Sequence, residues 1–436
     1  MTTVNTALPV GRDALQALSS SKQEPAWLAE LRLQALELAG TLELPKLEKT
    51  RIDRWNIDRY GEYKQVTAVD SLDNLPEEIS SLVAQDSIPS GVLIQRNSGV
   101  IYSSLSEELK QRGVILCDLE TAAREHEDLV RPYLMQAVRA DEHRLSALHA
   151  ALWSGGLFLY VPKNVIIEQP IQALFLADDA DALFAPHVLI VAEANSSVTY
   201  VDNYVSGQAT DAITHNGVAE VFVKDGAVVR FASIHNLNDQ ATDVTYRRAV
   251  LGQDARVEWT IGELHMGDAV SDTNSILRGN GSSSDAKVIC VGTNKQRLNI
   301  TTRATHFGKS SDSDMITRAV MRDEATAIIN GITKIEHGAT HANGEQTERV
   351  LMLSPKARGD ANPILLIDED EVTAGHAASV GQVNKEQVFY LMSRGLSKEQ
   401  AEKLIIYGFL APVVNIIPIK KVEEQLRVLV ERKLGQ

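Results

Sequence analysis

From Leu157 to Asp368 helical periodicity fades, and short β-rich runs follow one another, each closed by Gly, Asn, Asp or Ser. "SSVTYVDNYVSG", "VAEVFVKDGAVVRFASIHNL", "ARVEWTIGELHMGD" and "RLNITTRATHFG" are examples. Within them the alternation is that of strands. Ala219, Val221 and Val223 share one face against Glu220, and after an Asp225–Gly226 turn Val229 and Phe231 flank an outward Arg230. So long a succession of strands without intervening helices leaves a sandwich, a propeller or a β-solenoid. No WD or kelch signature supports a propeller. The polar stretches "GNGSSSD" and "KSSDSD" between β-branched runs fit the corners of stacked coils, so the spacing predicts a solenoid.

Helical patterns flank this core. The chain reads as a mostly helical N-terminal domain with short strands over 1–155, the β core over 156–372, and a helical C-terminal domain over 373–436. In "EPAWLAELRLQALELAG", Pro25 opens a helix whose apolar stripe runs through Leu28, Leu31, Ala35 and Leu38 to a stop at Gly40. Asn384 with Gln387, and Ser397 with Gln400, have the spacing of capping boxes and mark two helix starts. Gly395 ends the first of these helices, and Pro412 and Pro418 are expected to break the chain after the second. A last amphipathic helix carries Val422, Leu426, Leu429 and Lys433 on one side.

Composition removes several classes of function. Asp and Glu number 58 against 43 Lys and Arg, a formal charge of −15, which repels nucleic acid and anionic membrane. The N-terminus lacks the basic region and apolar run of a signal peptide, and no apolar stretch approaches the ~20 residues of a membrane span. Cys117 and Cys290 stand far apart with no CxxC spacing, which argues against a disulfide framework. A reducing cytoplasm is the expected compartment.

Few residues carry a legible chemistry. The run "IDEDEV", with Asp368, Glu369, Asp370 and Glu371, is the densest acidic stretch and reads as a solvated turn. Taken as a carboxylate groove it would suit a free-standing, carbohydrate-active β-solenoid enzyme, the alternative reading of the chain. "IEHGATHANGE" places His337 and His341 four apart. The Glu precedes the first His, Gly338 interrupts, and the context is β, so the zinc-protease pattern is not met. No G-x-x-x-x-G-K-[ST] loop is present, so any ATP site belongs to another chain. His376 stands among Gly375, Ala377 and Ala378, small neighbours that would let a second surface approach the imidazole.

Three stretches together, "ALHAALWSGGLFLYVPKNVIIEQPI", "ERVLMLSPKARGDANPILLI" and "GHAASVGQVNKEQVFYLMSRGLS", resemble the SufB/SufD family of iron–sulfur cluster assembly proteins. The resemblance runs in order through the chain from about Trp27. One departure is Asn164, where the family more often has Gly; Asn tolerates the left-handed turn better than most residues. The chain is similar to the SufD-type branch. Ala377 stands where SufB-type chains have Glu, and "TERVLML", with Arg349, stands where they carry a functional cysteine. Some SufD-type chains have a cysteine two residues before the histidine, where this chain has Ala374.

The resemblance implies a mainly β protein with helical ends: a right-handed parallel β-helix flanked by an N-terminal mixed α/β part and C-terminal helices. It implies a non-catalytic scaffold subunit of a complex that builds nascent Fe–S clusters. Such a subunit pairs with a SufB-like paralogue through the β-helix and docks a SufC-like ABC ATPase by its C-terminal helices. Sulfur comes from a desulfurase system. The isolated chain would hold no cofactor, the transient Fe–S cluster, and in some systems a reduced flavin, belonging to the assembled complex. A homodimer of the isolated chain is compatible with lateral pairing. His376 is the implied cluster or interface residue, with His337, His341 and Arg349 as weaker interface candidates. Glu386, Phe389, Tyr390, Arg394, Leu404 and Tyr407 form the implied ATPase-docking segment, and no metal is assigned to this chain alone.

Overall fold

The computed structural model describes residues 8–55, 57, 59–75, 90–207, 212–414 and 420–433. Strands β1 (Gly91–Arg96) and β2 (Gly99–Leu105) form an antiparallel hairpin, and β3 (Ile115–Cys117) pairs antiparallel with β4 (Leu157–Val161). From β4 onward each pass of the chain adds one strand to each of two sheets. The even strands are β4, β6 (His187–Ala192), β8 (Thr214–Val223), β10 (Thr242–Leu251), β12 (Asp268–Leu277), β14 (Arg297–His306), β16 (Thr326–Ile335) and β18 (Arg358–Ile367). The odd strands are β5 (Ile171–Ala177), β7 (Ser197–Ser206), β9 (Val228–Asn236), β11 (Arg256–Glu263), β13 (Ser283–Gly292), β15 (Asp312–Met321), β17 (Asn343–Met352) and β19 (Thr373–Gln382). Neighbours within each series pair in parallel, as at Trp259↔Ala286 and Arg247↔Thr273. The core is therefore the expected β-solenoid, flanked by helices at both ends of the chain.

Period-2 alternation decides which side chains enter the coil. Val257, Trp259 and Ile261 of β11 face inward beside Ala286, Val288 and Cys290 of β13, all buried. Burial pushes the Cys290 thiol up to about 12, so it packs as a small hydrophobe. The corners use left-handed residues. Asn195, Asp254, Asn294 and Asp323 all have φ between 51° and 58°. Gly226, at φ 67°, belongs to the turn expected at Asp225–Gly226, and a Cβ there would stand 2.5 Å from Asn195 Oδ1. Asn164 also adopts φ 62°, a left-handed turn that Asn tolerates better than most residues.

The outer faces are covered differently. Helices α1 (Arg12–Ser21), α2 (Ala26–Thr41), α3 (Glu107–Gln111), α4 (Leu119–Glu125), α5 (Glu127–Val130) and α6 (Arg144–Leu152) precede the coils. Leu28 and Ala35 of α2, with Leu145 and Leu148 of α6, join one core with Val191, Val218, Val244 and Tyr246 of the even sheet. Three more helices follow: α7 (Lys385–Ser393), α8 (Lys398–Val414) and α9 (Lys420–Lys433). Ile406, Leu410, Leu426 and Val430 lie on Val201, Ala232, Ile234 and Ile289 of the odd sheet.

Both expected helix starts are present. Asn384 Oδ1 accepts from the Glu386 and Gln387 N–H groups, while Ser397 and Gln400 bond reciprocally. Gly395 ends α7 at φ 97°. Pro412 corrects the expectation of a break after α8: it lies inside the helix. It falls in the last turn, so its missing N–H interrupts the ladder where only Val413 and Val414 remain. Pro418 lies outside the described residues.

One buried carboxylate joins the N-terminal part to the solenoid. Glu220 of β8 accepts from the backbone N–H groups of Met135, Ala137 and Val138 at 2.6, 2.6 and 2.9 Å, and from His187 at 3.1 Å. Removing it strands three buried donors at once. Glu220→Ala is expected to cost about 3–5 kcal/mol in urea unfolding, and Glu220→Gln, which keeps one acceptor oxygen, clearly less. An alanine loss under about 0.5 kcal/mol would show that the contacts do not hold the two parts together.

Candidate functional site

A parallel coil satisfies its backbone on the coils above and below it, so the last coil has a free side. Among the described residues β19 pairs only with β17, and β18 only with β16. Eight of the ten β19 residues, His376 among them, are exposed, whereas strands in the middle of the stack are nearly all buried. Strand β19, "TAGHAASVGQ", has no charged residue, and a bare edge of this kind is a template for pairing. Pro363, in β18, sits where an edge strand tolerates it.

His376 is in register with Gln346 of β17 and shares its inward-facing row with Ala374, Ala378 and Val380. That row points over the open mouth of the solenoid. Gly375 has a specific cause on the opposite face: the Glu345 carboxylate lies across it, and a Cβ would meet Oε2 at 2.4 Å. Two groups in the same mouth escaped the sequence reading. Gln346 accepts from the Thr333 hydroxyl at 3.0 Å, and Glu348, in register with Ala378, is buried with Oε2 unpartnered. Burial pushes the Glu348 carboxyl up to about 7. The His376 imidazole and the raised Glu348 carboxyl thus sit one strand apart on one face, able to bind a cation or hold a proton. Glu348 differs from the solvated acids only in its parity along β17, a signal readable once that strand's register is known.

The weaker candidates do not converge on His376. Arg349 lies on the outer face, in register with Arg318 and Ser379. Burial, then the charge of Arg349, lowers Arg318, whose guanidinium lies 5.3 Å from the Phe409 ring centroid. His337 and His341 occupy the turn after β16, both exposed, His341 at φ 60°. Their nearest carboxylates come from the acidic run: Glu369 is 3.5 Å from His337, and Glu371 is 4.0 Å from His341. Glu369 also accepts from the Gly338 N–H, which holds its carboxyl below the usual range. The run "IDEDEV" is thereby tied into a corner.

The C-terminal candidates divide. In α7 only Val388 is buried, while Phe389 is 73% and Tyr390 56% exposed, with Leu404 of α8 at 52%. Phe389 lines a cleft of about 360 Å³ with Met352, Met392, Lys398 and Glu402. The Arg394 guanidinium lies over the Tyr390 ring at 5.2 Å, and Glu386 is exposed in the first turn. Tyr407 is engaged within the chain, its hydroxyl bonded to Glu431.

The chain matches two family models almost end to end. "SufBD protein N-terminal region" covers residues 22–173, and "SUF system FeS cluster assembly, SufBD core domain" covers residues 175–409. It is 49% identical over 435 residues to the iron–sulfur cluster assembly protein SufD of Bacillus subtilis, covering 99% of this chain and 100% of that one. Iron–sulfur cluster assembly SufBD family proteins of Staphylococcus epidermidis and Staphylococcus haemolyticus are each 29% identical, covering 94% and 95% of this chain and 90% and 91% of theirs.

The raised Glu348 has a measurable consequence. Its folded pKa stands above the ordinary 4.5, so its contribution to stability is full below pH 4.5 and is lost as pH rises through about 7. Glu348→Gln should remove that slope and raise the urea midpoint above wild type at pH 8, by at most about 3 kcal/mol at 1.36 kcal/mol per unit. Identical pH profiles for the two proteins would mean that the carboxyl titrates normally.

Proposed function

The chain belongs to the SufB/SufD family of iron–sulfur cluster assembly proteins, and on that premise we propose that it is a non-catalytic scaffold subunit with two docking surfaces. The bare last coil pairs with a SufB-like paralogue, and α7 with the start of α8 docks a SufC-like ABC ATPase. The observation that carries this reading is the contrast along one solenoid: its coils are buried until the last, whose uncharged edge strand presents His376. Pairing strands at such an edge satisfies the free backbone groups and brings the partner's side chains over the open mouth. A second copy of this chain competes for the same edge when the paralogue is absent.

The nascent cluster, built with sulfur from a desulfurase system, is cargo at that seam. His376 serves it as a ligand or proton carrier, imidazole being a ligand suited to iron, and a reduced flavin, where used, belongs to the assembled complex. The ATP-hydrolysing chemistry stays with the ATPase, reached through Phe389, Tyr390, Leu404 and the cleft beside Met392. No described helix is long and apolar enough to cross a membrane, and a reducing cytoplasm suits two free cysteines and a labile cluster. Family membership sets aside the carbohydrate-active alternative.

Co-purification with both partners tests the two surfaces separately. Phe389→Asp should weaken ATPase capture at least about 10-fold and leave the paralogue bound, as expected for a central aromatic anchor. Val380→Asp, a charge placed on the bare edge strand, should do the reverse. His376→Ala should leave the complex assembled and lower its yield of cluster. Retention of both partners by both aspartate variants would refute the assignment of the surfaces.

A further inference from the structure

One corner of the solenoid interior, where the odd strands end and the even strands begin, gathers buried charged side chains and imidazoles. Asp243 opens β10, His235 and Glu263 end β9 and β11, and His265 follows in the next turn. All four, with Arg247, are at most 2% exposed. Arginine only donates, so the 2.6 Å contact from Arg247 Nη2 makes His235 Nε2 an acceptor and leaves its proton on Nδ1. That N–H donates to Asp243 Oδ2 at 2.6 Å. Arg247 Nη1 also donates to Glu263 Oε1 at 3.2 Å and to Ser271 at 2.9 Å. His215 Nδ1 and the Thr245 hydroxyl donate to Asp243 Oδ1, each at 2.8 Å.

The imidazoles of this network keep open nitrogens at His215 Nε2 and on the His265 ring. Neither ring nitrogen of His265 has a hydrogen-bond partner. Its Nδ1 faces Glu263 Oε2 at 3.5 Å and Asp243 Oδ2 at 3.9 Å, and these three atoms all lie within 4.8 Å of one another. His265 Nδ1 makes a hydrogen bond to neither carboxylate, so the buried ring faces both of them unbonded. Two buried carboxylates and a bare imidazole nitrogen converge on one point with no donor aimed at it. Donors sharing one ion at about 2.1 Å stand roughly 3.0–3.4 Å apart, so a small inward rotation closes the set.

We propose that this corner is a binding site for a divalent first-row transition ion, with Asp243 Oδ2, Glu263 Oε2 and His265 Nδ1 as ligands. Arg247 holds Glu263 through its other oxygen, Oε1, and the His235 N–H fixes Asp243 Oδ2 itself, whose second lone pair remains for the ion. A mixed nitrogen and oxygen set selects zinc, iron or manganese over calcium and magnesium. The approach lies beside the ligands in sequence: Thr242 and Met266 line a surface cleft of about 770 Å³ that also carries Asp239, Asp323 and Glu324. This site stands apart from His376 and does not rest on the scaffold reading.

The test uses the full chain, stripped with chelator and reloaded with Zn²⁺ or Co²⁺. Wild type should retain a single equivalent of Zn²⁺ through gel filtration, and bound Co²⁺ should show visible absorption that Zn²⁺ abolishes. His265→Ala and Glu263→Gln, whose amide nitrogen cannot ligate, should each weaken binding more than about 100-fold, with far-ultraviolet circular dichroism unchanged from the metal-free wild type. Should both variants fail to fold, X-ray absorption of the zinc-loaded wild type decides: one nitrogen and two or more oxygens are expected, and a shell containing sulfur or several imidazoles overturns the site. Absence of stoichiometric uptake by wild type would mean that the corner holds only water. Loss of uptake in His376→Ala with retention in His265→Ala would place the ion at the open end and overturn the proposal.

Discussion

Parallel stacking governs this molecule. Each strand in the middle of the solenoid bonds to the coil before it and the coil after it, in a register that runs without slip from β8 to β18 in one sheet. The arrangement leaves the chain no freedom about which side chains enter the core, because a one-residue slip would turn every strand inside out. It also leaves one debt that no interior packing removes: the last coil has backbone groups and a mouth with nothing above them. The exposed histidine, the uncharged edge strand and the half-free α7 all gather at that end.

The same regularity explains why charges can sit inside. A solenoid of this width brings residues from three passes of the chain to one corner, so Asp243 of β10 is held by imidazoles of β8 and β9 while Arg247 of the same strand bonds His235 of β9, Glu263 of β11 and Ser271 of β12. Burial opposes ionisation of Asp243, but His235 and His215 outweigh it and hold the carboxyl well below its ordinary value. Such a network imposes a specific alignment on strands whose other inward residues, mostly Val, Ile and Ala, would tolerate neighbours of similar shape.

Much of this architecture was readable from the residues. Alternation at Ala219, Val221 and Val223, the Asp225–Gly226 turn, and the helix starts at Asn384 and Ser397 all depend on contacts a few residues apart. His376 was singled out by its small neighbours, although the structure gives Gly375 a different reason, the Glu345 carboxylate lying across it. What escaped depends on register between coils. His265 in "IGELHMGD" looks like a turn residue, and Glu348 in "TERVLML" like any surface acid. Coil lengths vary too much for sequence spacing to show which residues face each other, whereas the eye-catching pair His337 and His341 lies on an exposed corner.

The far end of α9 adds a constraint of another kind. Lys433 is buried, its ammonium bonded to the backbone carbonyls of His265 and Val291 and to Gln296 Oε1, and burial pushes it down to about 7. Its partners were made well over a hundred residues earlier in the chain. On a ribosome the odd sheet would therefore wait, with Val201, Ala232, Ile234 and Ile289 bare to water, until the helix carrying Lys433 had left the exit tunnel. Until then that face is an apolar strip without its cover. Docking of that helix is thus also the step that ends the strip's exposure to chaperones and to sticking with its neighbours.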